Sequence, residues 1–178
     1  MTHTPRPRHA ARTPVHITLR LAEKLPSLRS RVNHRVVLDG LLASSKPGFR
    51  VVHYAALTNH IHLICEASGT SALSRGMQGL CIRLARRLNR SWGRTGTVFD
   101  DHYHVHSLRT PTEVRNALRY VLNNARRHGL ALQSEVDPCS SARWLDSNAG
   151  PFPTPRTWLL RAGWRRLKGS GAGKDRLW

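Results

Sequence analysis

The chain has 178 residues, 39% of them hydrophobic, which suits one domain core and not two. Its formal net charge is +19 at pH 7, and such an excess calls for an anionic partner. Cys65, Cys81 and Cys139 are too few and too scattered for a disulfide framework or a zinc finger, and no run approaches the ~20 apolar residues of a membrane span.

Residues 1–13 read as a basic flexible arm, rich in Pro and Arg and without the apolar run of a signal peptide. The expected location is the cytoplasm. Residues 1–14 and 151–178 together carry +9, yet residues 15–150 still hold 19 basic residues against nine acidic ones. A central segment this basic fits a polyanion, and nucleic acid is the usual one. A solvated basic surface would give the same count.

Val15 to Leu21 alternates apolar and polar residues, the period of a half-buried strand, and Pro26 ends it. Leu28, Val32, Val36, Leu38 and Leu41/Leu42 recur at near-helical spacing over 28–44, and Pro47-Gly48 closes that segment. Phe49–Leu57 and His60–Glu66 read as strands joined by a Thr58-Asn59 turn. Ser71 is the expected N-cap of a long helix with Leu73, Met77, Leu80/Cys81, Leu84 and Leu88 on one stripe, ended by Gly93. Its other faces carry Arg75, Arg83, Arg86, Arg87 and Arg90.

Val98–Leu108 is extended, with an irregularity expected at Asp100-Asp101. A helix then starts at Thr110 as N-cap, with Pro111 at its first position and Glu113 completing a capping box. Val114, Ala117/Leu118, Val121/Leu122 and Ala125 form its buried stripe, and Gly129 ends it. The fold class is therefore α+β. The first six elements have the split βαβ order of a ferredoxin-like βαββαβ sandwich with an antiparallel sheet, followed by a C-terminal helix and basic tails. The domain spans 14–130, and 131–178 is a loop-rich basic tail.

Residues i and i+2 of a strand share a face, so His60 and His62 project together while Ile61 and Leu63 turn away. Two such imidazoles can share a divalent metal, although two hydrogen-bonded histidines would show the same spacing. His102-Tyr103-His104-Val105-His106 is a longer series of the same kind, and spacing does not decide between the two. On the capped helix, Tyr120 lies well off the core stripe, and Asn124 follows one turn later on the same flank. A tyrosine with a carboxamide at i+4 can set a nucleophile beside a neutral oxygen ligand; a surface tyrosine packing on its neighbours is the plainer reading.

Four segments, in order, carry a family resemblance: Gly48–Tyr54, Asn59–Ile64, Leu73–Gly79 and Arg115–Ala125. Over roughly 14–130 the chain resembles the REP-associated branch of the single-tyrosine HUH transposases, bacterial mobile-element enzymes acting on single-stranded and hairpin DNA. The resemblance implies a ferredoxin-like fold, in agreement with the element order. It implies His60 and His62 as metal ligands, Asn124 as the third ligand, Tyr120 as nucleophile and Mg2+ or Mn2+ as the ion. DNA would be cleaved and rejoined through a 5′-phosphotyrosine, for DNA transposition near the nucleoid by a monomer or homodimer.

Arg75, Arg83, Arg86, Arg87 and Arg90, with Arg109, Arg115, Arg119, Arg126 and Arg127, would contact hairpin phosphates. Trp92, Tyr103 and Trp144 could stack on unpaired bases. His102-Tyr103-His104 stands where relatives often carry basic residues, so these histidines read as phosphate or hydrogen-bond contacts and not primary ligands, and Tyr103 is a rival nucleophile without helical context. Residues 156–166 also resemble a tail found in this branch. A hairpin binder without chemistry and a zinc-bound structural module are the competing classes, the second weakened by the absence of paired cysteines.

Overall fold

The computed structural model describes residues 8–100, 103–130, 132, 134–145 and 150–166. His102, Asp101, residues 1–7 of the arm and residues 167–178 of the tail lie outside the described residues. Strands β1 (Val15–Arg20), β2 (Phe49–Ala56), β3 (His60–Ala67) and β4 (His104–Ser107) form one sheet in the order β2-β3-β1-β4. All three pairings are antiparallel, so the architecture is the α+β, ferredoxin-like one that the element order implies.

Strand alternation divides the side chains between two cores. Val15, Ile17 and Leu19 of β1, with Ile61, Leu63 and Cys65 of β3, face α1 (Arg31–Leu42) and α2 (Thr70–Ser91). Leu73, Met77, Leu80, Leu84 and Leu88 are the buried stripe of α2, as their spacing predicts. Gly76 lets α2 close on β2, because a Cβ there would meet the Phe49 ring at 2.2 Å. On the other face, Val52, Ala55 and Ile64 pack against Val114, Ala117, Leu118, Val121 and Leu122 of α3 (Pro111–Leu122).

The starts of α1 and α3 follow side-chain chemistry, and that of α2 does not. The Thr110 hydroxyl accepts from Glu113 N–H, and the Glu113 carboxylate accepts from Thr110 N–H, completing the expected capping box. Ser30 caps α1, so that helix is shorter than the 28–44 periodicity. The N-cap of α2 is Gly69 and not Ser71; Leu73 N–H bonds to the Gly69 carbonyl, and no side chain caps the end. The predicted helix to Gly129 breaks at Asn123, whose φ/ψ of −102°/9° is non-helical and whose side-chain amide donates to the Arg119 carbonyl. A single turn, α4 (Asn124–Arg127), follows. Among the described residues, the extended 98–108 segment contributes a Leu21–Phe99 bridge and the four residues of β4.

Two ionic clamps hold described segments beyond 130, at Asp137 and at Arg156-Thr157. Arg29 donates to both carboxylate oxygens of buried Asp137 at 3.0 and 2.8 Å, and also to the Ala56 carbonyl. That clamp holds residues 137–141 along β2, where Ala55 bridges Ser140. Buried Glu66 pairs with Arg50 and accepts from the N–H groups of Arg156 and Thr157. Short helix α5 (Trp158–Arg161) follows, and Leu159, Leu160 and Trp164 enter the α3-side core. Asp137→Ala leaves the half-buried Arg29 guanidinium unpaired, so the unfolding free energy from urea titration should fall by about 3 kcal/mol.

Candidate active site

The face of β3 turned toward α3 carries His60, His62, Ile64 and Glu66 in alternation. On β1, Thr18 stands opposite His62 and Arg20 opposite His60. On β4, His104 stands opposite Thr18 and His106 opposite His16. The two histidine series thus share one face with β1 between them, roughly 10 Å apart at two strand spacings. Both His104 and His106 are exposed.

Tyr120, 36% exposed in the last turn of α3, comes down on this face. Its ring centroid is 5.2 Å from that of His62 and 5.8 Å from that of His16, edge-on to both. The Arg127 guanidinium stands 5.5 Å from the Tyr120 ring centroid. His60 and His62 have ring centroids 4.9 Å apart, and His128 packs 5.5 Å from His60. Sequence reading missed His16, Thr18, Arg20 and His128. The alternation of β1 held a signal for the first three, since they occupy the polar face of the strand beside β3. No local pattern marks His128.

His60 Nδ1 is 2.9 Å from Asn59 Oδ1, and His62 Nδ1 is 3.0 Å from Thr18 Oγ1. These contacts leave Nε2 of each ring as the nitrogen able to take a metal. His62 Nε2 is buried without a hydrogen-bond partner, and so are both amide atoms of Asn124, which is 0% exposed. Asn124 follows Tyr120 by four residues and precedes His128 by four, the two residues that touch His62 and His60. Orphaned, buried ligand atoms of this kind fit a cation held by two imidazoles and an amide oxygen. Among the described residues no group of three His, Cys, Asp or Glu side chains is arranged for a metal; the expected set has only two such residues.

Burial, then the neighbouring His16, His60 and His128, push His62 down to about 3. Burial and then His128 and Arg20 push His60 down to about 4, and burial with His106 does the same to His16. All three rings are therefore neutral at pH 7, with lone pairs available.

The other predicted residues divide by face. Arg109, Arg115, Arg119, Arg126 and Arg127 belong to the α3 side. Arg75, Arg83, Arg86, Arg87 and Arg90 lie on α2, which packs across the sheet from Tyr120. Of these, Arg83 donates to Ser44 Oγ and so ties α2 to the end of α1. Trp92 donates its indole N–H to Asn33, and Trp144 packs on Phe152 beneath Arg143, so both serve the packing. Tyr103 is half-buried beside the first core.

No family model and no curated protein matches the sequence. Eight chains of solved structures match by fold. One is a REP-associated tyrosine transposase bound to a REP hairpin, with a TM-score of 0.66 and 16% identity over 86% of this chain and 89% of that chain. At that identity the likeness is one of fold. Among the described residues no helix is long and apolar enough to cross a membrane.

Buried His53, held down to about 4 by desolvation, gives a test of this electrostatic reading away from Tyr120. The unfolded chain takes up its proton below about pH 6.5 and the folded chain only near 4, so stability is full above 6.5 and is lost as pH falls toward 4. Each such histidine contributes a slope of up to about 1.4 kcal/mol per pH unit. In urea titrations from pH 6.5 to 4.5, His53→Gln should remove one such contribution from the slope, whatever its effect at pH 7.5.

Proposed function

We propose that the protein is a transposase of the REP-associated single-tyrosine type, a DNA strand transferase acting on single-stranded hairpin ends. The observation that carries this reading is Tyr120 packed against His62, whose buried Nε2 has no partner. The shared fold with a hairpin-bound REP-associated tyrosine transposase supports it, as does the +19 charge.

In this reading His60, His62 and Asn124 would hold Mg2+ or Mn2+, which, when bound, would supply Lewis-acid neutralisation of charge on the scissile phosphate, undiminished by its neutral ligands. Tyr120 Oη attacks the phosphorus. The new bond is a 5′-phosphotyrosyl ester, the broken bond is P–O3′, and the departing 3′ oxygen becomes a hydroxyl as the tyrosyl proton is lost. The phosphodiester is exchanged and not hydrolysed, so attack by another 3′-hydroxyl rejoins strands without a nucleotide cofactor. Arg127, beside the Tyr120 ring, and Arg109, Arg115, Arg119 and Arg126 neutralise phosphates near the cut. The α2 arginines meet phosphates of the hairpin on the far side of the sheet. The protein acts in the cytoplasm, at the nucleoid, as a monomer or homodimer.

Incubation with single-stranded hairpin DNA and Mg2+ or Mn2+ should give a covalent protein–DNA adduct on denaturing gels. Tyr120→Phe should abolish the adduct, and His60→Ala or His62→Ala should slow it at least ~100-fold with DNA affinity largely kept. His104→Ala and His106→Ala should leave the rate within a few-fold. Tight binding with no adduct from the wild type would instead identify a hairpin binder.

A further inference from the structure

A third histidine, from a different strand, stands against both of the proposed functional groups. The Nε2 atom of His16 is 3.1 Å from His62 Nδ1, the same atom that Thr18 Oγ1 approaches to 3.0 Å. The His16 and His62 rings lie 5.1 Å apart, and the His16 ring also meets Tyr120 edge-on at 5.8 Å. Their placement follows from register: His16 pairs with Ile64, one same-face position along β3 from His62.

An imidazole that coordinates through Nε2 carries its proton on Nδ1, and the acceptor of that proton sets the tautomer and the ring rotation. With the unpartnered Nε2 of His62 turned to the metal, the proton would sit on Nδ1 and be donated toward Thr18 Oγ1 and His16 Nε2, which lie 3.0 and 3.1 Å away. The threonine hydroxyl is a rotor that donates as readily as it accepts. The His16 ring is held in place by its contacts with both His62 and Tyr120. We infer that His16 is a positioning residue that holds His62 in its metal-binding tautomer and rotation and, through its ring edge, sets the spacing of Tyr120 from that ligand. The inference rests on the proposed roles of His62 and Tyr120.

Three substitutions separate the two contacts. His16→Gln keeps an acceptor at the reach of Nε2, His16→Phe keeps the ring edge without the acceptor, and His16→Ala removes both. Mn2+ affinity is read by electron paramagnetic resonance of the free ion, and adduct formation by single-turnover kinetics on hairpin DNA. Phe should weaken Mn2+ binding about 10-fold or more while Gln stays within about 3-fold of wild type. At saturating Mn2+ the adduct rate of Phe should recover and that of Ala should not. Wild-type Mn2+ affinity in Phe, or equal losses in Gln and Phe, would overturn the inference. If Phe does not fold, Gln against Ala decides: a Gln near wild type with a weak Ala supports it, and equal values overturn it. A wild type that neither binds Mn2+ nor forms an adduct would overturn the functional reading and this inference with it. An active wild type with an unaffected His16→Phe would overturn the inference alone.

Discussion

The register of β3 between β1 and β2 decides what chemistry the sheet presents. Thr18 and Ala55 flank His62 across the two pairings, so Ile61 and Leu63 enter the core beneath α1 and α2 while the two histidines face α3. A slip of one residue would bury both imidazoles among leucines and turn the apolar residues outward. The buried apolar residues forbid that slip, and so the core itself aims the histidines. The same parity on β1 brings His16 and Thr18 to His62, and the capping box sets where α3 begins and hence where Tyr120 lands.

The electrostatics of this face follow from burial more than from charge partners. Among the described residues no carboxylate contributes to the depressed pKa of His16, His60 or His62, and desolvation is the largest cause of each. Acids are kept for other tasks: Asp137 and Glu66 clamp the chain beyond 130, and Glu113 caps α3. A face of neutral histidines in a chain of net charge +19 favours a polyanion over a neutral substrate.

Periodicity and capping chemistry made most of the fold readable from the sequence. The β1 alternation, the α2 stripe and the Thr110-Pro111-Glu113 start are each local patterns, and each element forms where its pattern stands. What escaped was set by tertiary context. Gly69 replaces Ser71 at the α2 start because extended backbone there already supplies the carbonyl for Leu73. The break at Asn123 has no Gly or Pro to mark it. Residues 137–166 read as loop because their anchors, Arg29 and Glu66, are distant in the sequence. His60, His62 and Tyr120 were visible as candidates, and the structure brings them together. His16 and His128 emerge only when strand and helix are assembled around them.

Digesting the protein–DNA adduct with trypsin and nuclease, then locating the retained nucleotide by mass spectrometry, tests the central claim most directly. Cleavage after Arg119 and Arg126 releases Tyr120–Arg126 as one peptide, and the account predicts the nucleotide on Tyr120 within it. A nucleotide on the peptide that contains Tyr103, or on no tyrosine at all, would contradict it.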